Sequence, residues 1–446
     1  MKPFLTLSLL LLAAFDSSAA AKPNILLIVS DDQGYADAGF KGSQDIVTPN
    51  LDRLAASGLH CTSGYVTHPF CSPTRAGLMT GRYQQRFGHE RNPAYDPTDA
   101  REGLPLTEKL LPEYLQAAGY STGWVGKWHL GATPAHHPGK RGFAETFGFI
   151  GGGHKFIDWA VKPGTEYLLA IERNGQPVEE TAHLSTAFGR EAAAFVQRHR
   201  SEPWFLYLAF NAPHTPNEPT AERLARFASI AEPKRRAYAA QMSLLDDALG
   251  LLLATLKDTA QDQRTLVFYF SDNGGPIEPN GSINLPLRDR KGTVYEGGVR
   301  VSFLVSRPGT LPSGRTYEQP VCSLDVLATA LAAAGAPMPT DKKYDSVNLL
   351  PFLKGEQAAA PHERLFWRSD VKLAVREGEW KLVRVGGQPA ELYQLTLDPG
   401  EKNDLATAHP DVAQRLAAAL TAWDAELIPP AFPGAGGKKA AAKKQP

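Results

Sequence analysis

Asn24-Ile-Leu-Leu-Ile-Val-Ser-Asp-Asp32 is the stretch on which the fold turns. Asn24 to Ser30 is an unbroken apolar run with β-branched members. A strand with no polar alternation is covered on both faces, the habit of a strand inside a parallel sheet. Working outward, Pro49–Ser57 has the marks of a helix: Thr48 stands at the cap, Pro49 at the first position, and Gly58 ends it. Further helix signals cover Leu106–Ala118, Thr186–Arg198, Pro233–Lys257 and Ser323–Ala334, two of them stopped by Gly119 and Gly335. Strand signals fall between them at Thr122–Val125, Trp204–Phe210, Thr265–Ser271 and Val301–Val305. Alternating strands and helices predict an α/β fold with a large, mostly parallel sheet sandwiched by helices over residues 22–355. Near residue 360 the pattern changes to short, closely spaced strands: Leu365–Arg368, Val371–Arg376, Trp380–Val385 and Ala390–Gln394, with a turn at Glu377-Gly378. With a helix at Pro410–Leu427 they predict a smaller antiparallel sheet plus helix over 356–430, followed by a disordered basic tail at 431–446.

The first 21 residues read as a secretory signal peptide: Lys2, a Leu-rich run from Phe4 to Phe15, then small residues up to Ala21. The expected location is therefore periplasmic or secreted. No other apolar run looks long enough to cross a bilayer, so no membrane partner is expected. The composition is that of a globular protein, with 43% hydrophobic and 21% charged residues. Lys+Arg and Asp+Glu are tied at 47 each, and Lys438, Lys439, Lys443 and Lys444 lie in the tail. The folded body is slightly acidic, which argues against a nucleic-acid partner. Anion recognition must then come from a local pocket. Of the three cysteines, Cys61 and Cys322 can pair or remain as small buried hydrophobes, and Cys71 needs its own explanation.

In open α/β sheets, ligands bind beyond the carboxyl ends of the strands. Four such ends carry polar residues: Asp31-Asp32, Lys127-Trp-His129, Asn211-Ala-Pro-His214 and Asp272-Asn273. Asp31, Asp32, Asp272 and Asn273 offer oxygen ligands only, three of them negative, a set suited to Ca²⁺, with Mg²⁺ possible. Arg75, Lys127, Lys291, His129 and His214 are cationic or can become so. Gathered round a metal ion they would repel one another unless an anion such as phosphate or sulfate sits among them. Cys71-Ser-Pro-Thr-Arg75 opens a helix, where the backbone N–H groups favour negative charge. A cysteine-phosphatase loop would place its Arg six residues after the Cys, whereas here the separation is four.

These motifs resemble the formylglycine-dependent sulfatases of the alkaline phosphatase superfamily. Cys71-Ser-Pro-Thr-Arg-Ala-Gly-Leu-Met-Thr-Gly-Arg82 is similar to that family's modification signature, and Gly126-Lys-Trp-His-Leu-Gly131 to its second motif. Asn24–Gly34, Ala212-Pro-His214, Ser271-Asp-Asn-Gly274 and Lys291-Gly-Thr-Val-Tyr-Glu-Gly-Gly298 follow in the family's order, with no departure at a core position. The resemblance implies that a formylglycine-generating or sulfatase-maturating enzyme oxidises Cys71 to Cα-formylglycine (3-oxoalanine), which hydrates to a diol. One hydroxyl attacks sulfur and the alcohol leaves. The second hydroxyl then gives up its proton to expel sulfate. By the same resemblance Asp31, Asp32, Asp272 and Asn273, with modified Cys71, hold Ca²⁺, while Arg75 and Lys127 orient the diol. His129 is the base, and His214 and Lys291 grip the sulfate and protonate the departing oxygen. Export suggests a sulfated carbohydrate substrate. Arg288, His136, His137, His154 and Trp159 are candidates for an outer, substrate-binding pocket. Two alternatives stand beside this reading. One is a phosphomonoester or phosphonate ester hydrolase of the same superfamily; the other is a non-catalytic binder of sulfated glycans.

Overall fold

A computed structural model describes residues 22–435, so the expected signal peptide and the tail from 436 lie outside the described residues. Its strands are β1 (Asn24–Ser30), β2 (Leu59–Cys61), β3 (Gly64–Tyr65), β4 (Ser121–Lys127), β5 (Glu145–Phe149), β6 (Ile171–Arg173), β7 (Gln176–Val178), β8 (Trp204–Ala209), β9 (Thr265–Ser271), β10 (Phe303–Ser306), β11 (Arg315–Tyr317) and β12 (Val321–Cys322), followed by β13 (Arg364–Ser369), β14 (Lys372–Glu377), β15 (Trp380–Val385) and β16 (Glu391–Gln394). Ten form one sheet in the order β11-β2-β10-β9-β1-β8-β4-β5-β6-β7. Its middle, from β9 through β1, β8 and β4 to β5, is parallel. β10 joins β9 antiparallel.

β1 is central, and its apolar run divides between two cores. Ile25, Leu27 and Val29 enter the layer that holds Leu78 and Met79, Leu111 and Leu115, and Val326 to Leu331. Leu26 and Ile28 enter the opposite layer with Leu51, Phe188, Leu245 and Leu249. The period-2 alternation of a strand thus places a helical layer on each face, each large side chain contributing about 1.5–3 kcal/mol by its burial. The helix Pro233–Asp258, long and apolar enough to cross a membrane, corrects the expectation that no such run exists. Most of that apolar stretch is buried, because it packs along the helix Leu184–Arg198 as a core element.

Several boundaries shift for clear reasons. The helix expected over Leu106–Ala118 runs only Leu111–Ala117, since Pro112 has no N–H to donate and is tolerated only in the first turn. Thr48 stands at the cap of the helix Pro49–Ala56, but its hydroxyl donates to the Asp52 carboxylate and accepts the Gly39 amide rather than capping a backbone N–H of that helix. The expected tail is packed as far as residue 435: Phe432 is buried against His89, and the Ala435 amide donates to the Asn92 carbonyl. β13 to β16 form an antiparallel sheet in chain order. It shares a third core with Leu416, Leu420 and Trp423 of the helix Pro410–Asp424, and with Tyr65, Val294 and Val299 of the main body. Cys61 and Cys322 are buried free thiols.

Candidate active site

The carboxyl ends of β1, β4, β8 and β9 converge because their backbones pack closely. Gly126, in β4, has φ +118°, and a Cβ there would stand 1.9 Å from the Ala209 carbonyl oxygen of β8. Asp31 and Asp32 follow β1, Lys127 ends β4, and Asp272 and Asn273 follow β9. The helix Cys71–Thr80 begins at the nucleophile position, so Cys71 is its first residue and Arg75 lies one turn in.

These residues form one buried charge network. Cys71 Sγ lies 3.4 Å from Asp31 Oδ1 and 3.3 Å from Lys291 Nζ. Lys127 Nζ donates to Asp31 Oδ2 at 2.5 Å, and Lys291 Nζ to Asp32 Oδ1 at 2.6 Å. Arg75 places Nε and Nη2 on Asp272 Oδ2 at 3.0 and 2.8 Å. Asn273 Nδ2 donates to Asp32 Oδ1 at 2.7 Å. His214 Nε2 stands 3.6 Å from Asp32, while its Nδ1 faces the Thr215 carbonyl at 2.6 Å.

Burial and neighbours set the protonation states. Burial opposes the charge of Asp31, but Lys127, His214, Arg75 and Lys291 outweigh it and hold the carboxyl well below the usual range. Asp272 is pushed up to about 6 by burial and by neighbouring Asp31, against the pull of Arg75 and Lys127. Burial, then Lys127 and Arg75, press His129 well below the ordinary histidine range, leaving it neutral. Burial likewise pushes the Cys71 thiol up, so an unmodified Cys71 is a protonated, poor nucleophile.

The donor set suits a hard divalent cation. Ligand atoms of Asp31, Asp32, Cys71 and His214 lie within 4.8 Å of one another, and Asn273 Oδ1 is buried with no hydrogen-bond partner. Two carboxylates in that cluster, a third on Asp272 that accepts the Asp32 amide at 3.4 Å, and a free amide oxygen are the chemistry of a Ca²⁺ or Mg²⁺ site. His129 Nδ1 is also buried and unpartnered, and its backbone sits at φ 60°, as does that of Asp32 at φ 66°. Non-glycine residues held in this region are strained, and such strain concentrates at functional sites.

Cys71, Arg75, Lys127, His129, His214, Lys291, Asp31, Asp32, Asp272 and Asn273 are thus brought together. The structure does not bring the outer-pocket candidates to them. Arg288 is bound by Tyr393, Glu401 and Glu391 and stacks 3.8 Å over Tyr295, which ties it to the small sheet. His136 is buried against Thr133, and His154 faces the carbonyls of Lys155 and Leu169, with Trp159 edge-on at 4.7 Å. His137 pairs with Glu172 beside a cavity of about 630 Å³. Conversely, the segment 151–168 supplies neighbours that the sequence reading passed over. Tyr167 lies beside His214 with ring centroids 6.4 Å apart. Glu166 accepts the Gly152 amide at 2.6 Å. A Cβ on Gly152 would stand 2.5 Å from His129 Nε2, so only glycine fits against that ring. Asn211, at the end of β8, has both amide atoms buried and unpartnered.

Residues 23–336 match the Sulfatase family. The chain belongs to that family. N-acetylgalactosamine-6-sulfatase of Homo sapiens is 37% identical over 82% of this sulfatase and 72% of its own length. Arylsulfatase A of Homo sapiens is 34% identical, over 92% and 89%. The crystal structure of Ps i-CgsB in complex with k-i-k-neocarrahexaose superposes with a TM-score of 0.89 at 36% identity, covering 95% of this sulfatase and 97% of that chain. The protein is a sulfuric ester hydrolase, and neither the phosphate-ester nor the non-catalytic alternative is favoured.

Proposed function

We propose that this sulfatase hydrolyses sulfate esters of a carbohydrate, using a formylglycine made from Cys71 beside a bound Ca²⁺. The observation that carries the reading is the convergence of Lys127, Lys291, Arg75 and His214 on Cys71 and its carboxylate–amide set. Relatives support the substrate class: one is named for a sulfated amino sugar, and another holds a neocarrahexaose. The sequence of residues 1–21 supports export to the periplasm or beyond, after a maturation enzyme has acted on Cys71.

Asp31, Asp32, Asp272 and Asn273 would hold the ion. When bound, it polarises a sulfate oxygen and offsets the charge gathered there. Hydrated formylglycine supplies a hydroxyl nucleophile that a protonated thiol does not. Lys291 and His214, side chains 14% and 12% exposed, form the rim of the site and meet the incoming ester. His214 Nδ1 faces the Thr215 carbonyl and holds one proton there; Nε2 delivers a second to the departing oxygen from the imidazolium form, whose charge Asp31 and Asp32 favour against the cost of burial. Neutral His129 presents Nδ1 as the acceptor for the proton released with sulfate. Lys127 and Arg75, wholly buried, keep Asp31 and Asp272 in place and stabilise negative charge near residue 71.

The test is turnover of sulfated oligosaccharides by the matured enzyme, with and without chelator. Sulfate release that stops in EDTA and returns with Ca²⁺ is expected. Turnover indifferent to chelation, or phosphate esters cleaved with a higher kcat/KM than sulfate esters, would overturn the reading.

A further inference from the structure

Lys291 is carried on a segment clasped by the small C-terminal sheet, and its two ends are clasped differently. At the far end, wholly buried Glu296 receives Lys381 Nζ at 2.8 Å and the Tyr65 hydroxyl at 2.7 Å, while its amide donates to Glu401 at 2.6 Å. At the near end, the residue after Lys291 is Gly292, at φ +88°. Its amide donates to the Pro69 carbonyl, two residues before Cys71, at 2.9 Å. Its carbonyl accepts a hydrogen bond from Lys372 Nζ at 2.6 Å. Lys372 opens β14, is half-buried, and has no carboxylate paired with it among the described residues. A lysine ammonium committed to a backbone carbonyl rather than to an acid fixes that peptide in place.

We propose that Lys372 is a positioning residue for the sulfatase reaction: through the Gly292 peptide it sets where Lys291 Nζ stands between Asp32 and residue 71. Lys291 bridges Asp32 Oδ1 at 2.6 Å and Cys71 Sγ at 3.3 Å, so a small shift of the 291–292 peptide breaks one contact or both. Displacements of about 1 Å at reacting groups cost on the order of 10²-fold in rate. The proposal rests on the reading of Lys291 as a group that grips the sulfate. It makes the small sheet a working part of the active site. Lys381 and Glu296 are fully buried and unsuitable for substitution. Lys372 is only half-buried, so its substitution removes less packing.

The test is a double-mutant cycle on the matured full-length enzyme with 4-nitrophenyl sulfate, comparing wild type, Lys372→Met, Lys291→Ala and the double variant. Lys372→Met is expected to lower kcat/KM about tenfold in the wild-type background and less than about twofold beside Lys291→Ala. Its thermal midpoint should stay within about 2 °C of wild type, and Lys372→Arg, which keeps a cationic donor, should recover most of the activity. Equal losses in both backgrounds, as from a general effect of charge on anion binding, would overturn the proposal, as would no loss at all. An unchanged kcat/KM in Lys291→Ala alone would instead fault the reading of Lys291, and this proposal with it.

Discussion

His129 combines three features that rarely meet in a structural histidine: a left-handed backbone, a buried ring nitrogen with no partner, and a site that keeps it neutral. A neutral imidazole with a free nitrogen among Lys127, Arg75, Asp31 and Lys291 is suited to accept a proton. His129→Ala should therefore lower kcat by about 10²–10⁴-fold with little change in KM, the range of a lost general base. Steady-state kinetics on a sulfated oligosaccharide checks this, and a loss confined to KM would assign His129 to binding instead. Most of the cluster was legible at this scale because its members follow readable strand ends or, like Cys71 and Arg75, open a helix, while Lys291 stood out only through the motif Lys291–Gly298. Glu166, Tyr167 and Gly152 were not legible. They lie on an irregular segment with no periodicity, and only the folded chain shows that it passes over His129. The contacts of Arg288 were not legible either, since nothing in its sequence context reveals that Tyr393 and Glu401 engage its guanidinium.

At the scale of elements, the long buried strands were read almost to the residue because packing on both faces leaves no polar interruption. β5 was missed because Glu145, Thr146 and Gly148 break its apolar run, and β2, β3, β6, β7, β11 and β12 because they are two or three residues long. At that length no periodicity can build up, and pairing is decided by the neighbour strand rather than by propensity. The small sheet was visible through its alternation: Leu365 and Trp367 point inward from β13, while Arg364 and Arg368 are partly exposed. Trp367 fastens that sheet to the main body, its Nε1 donating to the Val66 carbonyl at 2.7 Å and its ring lying 5.3 Å from that of Tyr65. Trp367→Ala removes a large buried ring and leaves that carbonyl unpaired, so a loss of about 3–5 kcal/mol of stability is expected. Denaturant unfolding followed by circular dichroism measures it. A change below about 1 kcal/mol would mean that the sheet is held by its other contacts.

At the scale of the whole molecule, two cores on either face of one sheet give a rigid platform on which four strand ends can hold like charges together. The cost appears in the buried titratable groups. His68 and His89 are fully buried, and burial carries both down to about 3. In the unfolded chain they take up protons near pH 6.5, so below that the unfolded state binds more protons and stability falls as pH drops. Glu401 pulls the other way: burial raises it to about 7, and its share of stability is lost as pH rises toward that value. Both His68 ring nitrogens lack partners, so phenylalanine can replace it without orphaning a hydrogen bond. His68→Phe should flatten the fall in unfolding free energy below pH 6 by up to about 1.4 kcal/mol per pH unit. Urea titrations of wild type and variant at several pH values check this, and parallel pH profiles would show that His68 is not held neutral.

The central claim is that residue 71 works as an aldehyde among these charges rather than as the protonated thiol its surroundings would otherwise enforce. The most direct test is mass spectrometry of the peptide containing residue 71, taken from enzyme matured in its native host or beside a maturation enzyme, with its activity assayed in parallel. The account predicts the mass of the aldehyde or its hydrate, with sulfatase activity in proportion to the converted fraction. An intact thiol in fully active enzyme would contradict it.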